Sequence, residues 1–315
     1  MTNFRGLTPG QRSQVWVGGP ELAEPELVFE SGELLVEAPN WSLDGAALLV
    51  NGDGELWRLT LDDTTLTKPA PGDAGPQPAL ARVPFDGLPG INNDHVLDPD
   101  GQHIYLSAMD RHIYRGSLDG GAVQRVTPDD GKWHFLHGVS PDGSQLAYVE
   151  IGNFPEPGRL AVLTQSAEPV IVDTGTAHID GPEWSPDGKW IYFNTEGFTD
   201  VPGHAQLART PADGGADSGG SGGGATVEQV VVSETVDWFP HLSPDGQYAT
   251  YITFPPGTLG HPADLDVEVR VVSTTDWSVP LQRYQVFGGQ GTLNVNSWSP
   301  DSTRFAFVAY PMDAR

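Results

Sequence analysis

The chain has 315 residues, 38% of them apolar and 18% charged, with 39 glycines, 28 prolines and no cysteine. Its formal net charge of −26 argues against nucleic acid or an anionic membrane as partner, because phosphate binding needs a basic surface. No apolar run reaches the length of a membrane-spanning helix, and no disulfide is available to staple the fold.

The opening ten residues carry no apolar signal core, which reads as a cytoplasmic chain. Gln14–Val17 and Leu27–Glu30 then read as two short strands. After them a five-residue phrase recurs six times: Trp41-Ser-Leu-Asp-Gly45, Leu97-Asp-Pro-Asp-Gly101, Val139-Ser-Pro-Asp-Gly143, Trp184-Ser-Pro-Asp-Gly188, Leu242-Ser-Pro-Asp-Gly246 and Trp298-Ser-Pro-Asp-Ser302. Ser-Pro-Asp-Gly is a tight turn, in which Pro presets φ, Asp bonds back to the backbone and Gly takes positive φ. Apolar β-prone runs follow it, such as Trp190–Phe193 and Phe305–Val308. Each unit is a hairpin that must stack on its neighbours, and the interval suits four strands with insertions, which is a propeller blade.

The expected fold is therefore all-β, a six-bladed β-propeller of four-stranded antiparallel blades in a single domain, 1–315. After the sixth turn one strand remains, ending near Tyr310, so residues 1–35 are expected to complete the last blade and close the ring. The tryptophans at 41, 184 and 298 are expected as core between blades. Residues 210–226 read as a flexible Gly-rich loop. A closed ring needs no partner, so a monomer is expected.

The innermost strand of each blade leads into its phrase, so the residues opening that strand lie together around the channel on the opposite face. These openings are Asn92–His95, Trp133–His137, His178–Glu183, Asp237–His241 and Gly288–Asn294, joined by the loop Pro255–Pro262. They collect His95, His134, His137, His178, His241 and His261 of the nine histidines. Three histidines from different blades with Gln290 suit a divalent metal such as Mn, Fe, Zn or Ni, which gives His95, His137, His241 and Gln290 as candidate ligands. His241 stands one residue nearer its turn than the other two, so strict strand alternation would aim it elsewhere. Asp94, Asp180 and Glu183 are readable as base, metal ligand or turn cap, with capping favoured for Asp180. His261 and Asp94 are the first candidates for a catalytic base. Asn93, Trp133, His178, Trp238 and Asn294 are candidate substrate contacts, the tryptophans as sugar-stacking platforms or as rim packing. Gly288–Gly291 lacks the helix and lysine of a phosphate loop, and no Gly-x-Ser-x-Gly nucleophile motif occurs.

The phrase Trp-Ser-Pro-Asp-Gly followed by an Ile-Tyr-Phe-like strand resembles the TolB-like propeller repeat over nearly the whole chain. Asn92–His95, His137-Gly138, Asp180–Pro182, Trp238–His241, Gly260–Pro262 and Phe287–Thr292 look like a group of stand-alone bacterial TolB-like propellers. A more distant similarity is to oligogalacturonate lyases, seven-bladed cytoplasmic propellers in which three His and a Gln hold manganese. That resemblance implies manganese first, with Fe, Ni, Zn or Ca as alternatives, and a lyase-like elimination on an acidic sugar. The other reading is a non-catalytic scaffold binding a small ligand or a protein. The rim is rich in His, Asn and Asp rather than aromatic and Arg anchors, which favours a small polar ligand.

Overall fold

A computed structural model describes residues 4–61, 79–164, 168–213 and 226–312; most of the glycine-rich stretch at 210–226 lies outside these. Among the described residues there are strands and turns but no helix, so none is long and apolar enough to cross a membrane. Six sheets stand around a channel, antiparallel but for one short strand of blade 2, and in blades 1 to 5 the innermost strand leads into the turn phrase. Their inner strands are Glu37–Trp41, Ile91–Leu97, Trp133–Val139, Ile179–Trp184 and Val236–Leu242 in blades 1 to 5. Blade 2 adds a short parallel strand, Phe85–Asp86, beyond its four.

The sixth blade is made from both ends of the chain. Ser13–Gly18 pairs with Phe305–Ala309 on one side and with Glu26–Ser31 on the other. Its innermost segment is irregular, held by the Trp298–Phe305 bridge and by the Val308 N–H donating to the Thr292 carbonyl. The N-terminal strand thus closes the ring, as the lone C-terminal strand predicted.

The turn phrases behave as their chemistry dictates. In five of the six, the serine hydroxyl donates to the aspartate at 2.6 Å, as in Ser140–Asp142 and Ser185–Asp187. The second copy has Asp98 in place of serine, and Asp98 instead receives Arg115 Nε at 2.8 Å. In the sixth, Ser302 stands where the others have Gly and holds φ at 62°. Its hydroxyl accepts the Asp245 N–H at 3.0 Å, tying the turns of blades 5 and 6 together. Trp41, Trp184 and Trp298 are buried in clusters shared by neighbouring blades, which is where the repeat placed them.

The inner strands share a defect that decides the site. Blades 1, 4 and 5 each carry one extra residue between Glu37 and Asn40, Asp180 and Glu183, and Trp238 and His241. At that point Ala38, Gly181 and Phe239 adopt positive φ of 52°, 62° and 55°, and each is followed by proline. Proline has no N–H to donate, so it is tolerated where the ladder is already broken. In blade 3 the unpaired residue is His137 itself, between Leu136 and Gly138. Blade 2 leaves Asn92–Asp94 outside the ladder, between Ile91 and His95. Bulges of this kind bend a strand and re-aim side chains, here toward the channel.

Phe307 is fully buried between Tyr284 and Phe305 at the seam of blades 5 and 6. Phe307→Ala is predicted to cost about 3–5 kcal/mol, the usual range for removing a buried phenyl ring. Urea denaturation followed by tryptophan fluorescence measures it.

Candidate functional site

The bulges bring four titratable groups from four blades into one cluster. His137 Nε2 lies 3.0 Å from Asp180 Oδ1 and 3.9 Å from Asp94 Oδ1. His261, on the loop of blade 5, places Nε2 3.5 Å from the other oxygen of Asp180. Asp180 is therefore shared by two histidines while its Oδ1 also accepts the Gly181 N–H at 2.8 Å. It is a cap, as its position before glycine suggested, and also the hub of the cluster. Phe239, held in the left-handed region by the bulge, stacks on His137 at 5.7 Å and meets His261 edge-on at 5.1 Å. A bulky residue with that backbone costs about 1–2 kcal/mol and persists only where its surroundings enforce it.

The electrostatics separate the two acids. Burial raises the Asp94 carboxyl, and the neighbouring His137 only partly offsets it. Burial acts on Asp180 in the same direction, but the contacts from His137 and His261 outweigh it and hold Asp180 well below the usual carboxylate range. Burial alone would lower His137, yet Asp94 and Asp180 push it up to about 9. Asp94 also accepts from Asn92 Nδ2 at 2.6 Å. Environments that drive paired groups apart in this way mark acid and base roles.

A second layer of polar side chains joins the inner strands. His95 Nδ1 donates to Asn40 Oδ1 at 2.7 Å, and Asn40 Nδ2 donates to the Asn296 carbonyl at 2.8 Å. His241 sits 2.6 Å from Glu183 Oε2 and 3.1 Å from the Leu293 carbonyl, one through each ring nitrogen. Asn296 completes the layer by donating to Glu183 Oε1 at 2.6 Å. The bulge after Trp238 supplies the irregularity that His241 needs to face inward despite its offset.

Set against a divalent cation, the proposed ligands divide. His95 Nε2 and Gln290 Oε1 are buried acceptors with no hydrogen-bond partner, and burial holds His95 near pKa 3, so its ring stays neutral. His137 and His241 each have both ring nitrogens engaged by oxygens, His137 by Asp180 and the Asn294 carbonyl. The four residues as a set therefore do not fit the ion, because two of the imidazoles have no free lone pair to give. The catalytic candidates fare differently: His261 and Asp94 both lie in the cluster.

Of the expected substrate contacts, Asn93 is placed beside the cluster, where its Oδ1 accepts from Gln290 Nε2 at 3.1 Å. Both residues line a cleft of about 180 Å³ together with Phe4, Arg5, Glu37 and Asn92. Trp238 is 1% exposed and packed at 4.5 Å on His261, which leaves no face for a sugar. Trp133 is half-buried, stacked on Phe135 at 5.8 Å with the Arg111 guanidinium 4.9 Å from its ring. His178 Nδ1 accepts the Gly158 N–H, and Asn294 Oδ1 accepts the Gly291 N–H; both are structural partners of backbone. Sequence reasoning missed Arg5, which donates to Glu37 at 3.1 Å, to the Gln290 carbonyl at 2.7 Å and to Asp264 at 2.9 Å. It also missed Phe239 and the belt residues Asn40 and Asn296. The recurring proline two residues before the phrase (Pro39, Pro182 and Pro240) is the signal that marks the bulges.

The elevated His137 predicts a pH dependence. A base whose folded pKa exceeds its unfolded value near 6.5 contributes stability that is fully present below 6.5 and is lost as pH rises through about 9. Asp180→Asn is expected to lower the His137 titration midpoint and to shrink that slope. Imidazole NMR titration and urea melts at several pH values between 6 and 10 read both.

No family model matches this sequence. It is 33% identical over 303 residues to an uncharacterized protein of Agrobacterium fabrum, covering 95% of this chain and 92% of that one. A solved Agrobacterium tumefaciens structure described as a TolB superposes with a TM-score of 0.80 at 32% identity, over 96% of this chain and 99% of that one. More distant structures share the fold alone. TolB of Acinetobacter baumannii has a TM-score of 0.58 at 14% identity, over 95% of this chain and 66% of that one. An oligogalacturonate lyase of Vibrio parahaemolyticus has a TM-score of 0.51 at 14% identity, over 95% and 77%. With the six-bladed ring, the recurring turn phrase and this relationship along almost the full length of both chains, the protein belongs to the TolB-like β-propeller family.

Proposed function

We propose that the channel mouth is an enzyme site for a small acidic sugar derivative, working by general acid–base elimination with His261 as base. The observation that carries this reading is the Asp180–His261 pair. Asp180 remains ionised and faces His261 Nε2, which fixes the proton there and leaves Nδ1 as the lone pair; Nδ1 has no hydrogen-bond partner. An aspartate that orients an imidazole in this way sets its tautomer and stabilises the cation that forms when it takes a proton.

An elimination next to a carboxylate needs two proton transfers. The base removes the proton on the carbon bearing the carboxylate, a double bond forms, and the C–O bond to the leaving group breaks. The leaving oxygen then takes a proton. His261 suits the first step and Asp94, whose carboxyl is raised by burial, suits the second. His137, positively charged between Asp94 and Asp180, offsets the negative charge that builds up on the substrate. Asn93, next to Asp94 in the chain, and Gln290 line a cleft of their own and offer amide groups to hydroxyls. The distant fold likeness to an oligogalacturonate lyase makes uronates the natural first substrates to try.

The test is a panel of oligogalacturonates and other uronates, followed by the absorbance of the unsaturated product. Turnover by the wild type is expected, with His261→Gln lowering kcat by about 10²- to 10⁴-fold, the range of a lost general base, and leaving KM nearly unchanged. An unaltered rate in His261→Gln, or no turnover of any uronate, overturns the reading.

A further inference from the structure

Between blades 2 and 3 a second polar cluster stands apart from the acid–base residues. His134 on the inner strand of blade 3 is directly opposite Glu150 on the neighbouring strand, so the two side chains share one face. Asp130, four residues before His134, comes to the same place. One donor atom from each of Asp130, His134 and Glu150 lies within 4.8 Å of the others.

The imidazole is the informative member. His134 is 1% exposed, and its Nδ1 is fixed on the Arg111 carbonyl at 2.9 Å. That contact makes Nδ1 the donor and leaves a lone pair on Nε2. Nε2 is buried and makes no hydrogen bond, although Asp130 Oδ1 stands 3.4 Å away. Tyr148, whose ring packs edge-on against His134 at 5.2 Å, likewise has a buried hydroxyl without a partner. Two unsatisfied polar atoms beside two carboxylates make a pocket that lacks positive charge at its centre.

The chain supplies part of that charge itself. Lys132 reaches in from the surface, with Nζ 2.9 Å from Glu150 Oε2 and 3.4 Å from Asp130 Oδ2. Arg159 holds the other oxygen of Glu150 at 2.6 Å. The lysine is about a third exposed on a flexible stem, so it can leave for solvent without disturbing the core. Here its ammonium faces the two carboxylates and leaves the His134 lone pair without a partner, whereas a metal ion accepts all three donors at once.

We infer that Asp130, His134 Nε2 and Glu150 form a divalent-cation site, with Lys132 as the resident cation that the ion displaces. One imidazole with two carboxylates offers the nitrogen and oxygen donors that Zn²⁺ and related ions take. The carbonyl on Nδ1 supplies the outer contact that ligating histidines normally have. This site is independent of the acid–base cluster proposed above.

The probe is Zn²⁺ alone, titrated calorimetrically into the full chain after dialysis against a chelator. One equivalent is expected to bind to the wild type. His134→Gln and the surface variant Asp130→Asn are expected to lose that binding while keeping the circular dichroism spectrum. Lys132→Gln removes the competing charge and is expected to tighten binding by about tenfold or more. No zinc uptake by the wild type overturns the inference, as does wild-type affinity in His134→Gln. Loss of the ion in His137→Ala but not in His134→Gln overturns it too, since the metal then sits at the channel mouth.

Discussion

The inner strand of a propeller blade has a conflict to resolve: it must hydrogen-bond outward to its own sheet while crowding around a common axis. Here the conflict is settled by the bulge. Five of the inner strands break register at the same level, and the break is what turns His137, Asp180 and Phe239 toward one another. A regular ladder would alternate these side chains between adjacent blades and keep the acids apart. The strain at Ala38 and Phe239 is sustained by the close ring around them, including the Ala38 N–H donating to the Gly291 carbonyl and the Phe239 N–H donating to Asn194.

Below the bulges, the belt of Asn40, His95, Glu183, His241 and Asn296 links inner strands that are otherwise separate sheets. Buried polar networks of this kind stabilise only when every member is satisfied. The belt is nearly complete, with His95 Nε2 left over. Above it, the cluster around Asp180 is electrically asymmetric, one acid held low and one raised across a shared imidazole. Division of labour between the layers explains why histidines on one rim are not interchangeable: His95 and His241 fasten blades, while His137 and His261 share Asp180.

Much of this was legible in the residues. The turn phrase carries its own conformational logic, so the blade count and ring closure followed from spacing and from the single strand left after Ser302. The gathering of histidines at one rim was legible as well, because offset from the phrase fixes height in the channel. Their partners were not. Simple alternation, which underlies any reading of a strand, fails where a residue is inserted, and so His241 seemed misdirected and Asp180 seemed a mere cap. The tryptophans show the other limit. Residue type cannot say which face is free: Trp238 is buried beneath His261 and Phe239, whereas Trp133 stays half-buried beside Phe135 and Arg111. Arg5 was invisible for a further reason, since its three partners come from segments that only the closed ring brings near it.

Ring closure by Ser13–Gly18 against Phe305–Ala309 has a consequence for how the molecule is made. That pairing joins segments separated by all the other blades, so the loop it closes is far longer than that of any hairpin within blades 1 to 5. Without that pairing the channel lacks its sixth wall. The Arg5 guanidinium donates to the Gln290 carbonyl, so a contact at the mouth also joins distant segments. The mouth thus rests on the same kind of long-range contact as the ring closure, the kind that costs most to bring together.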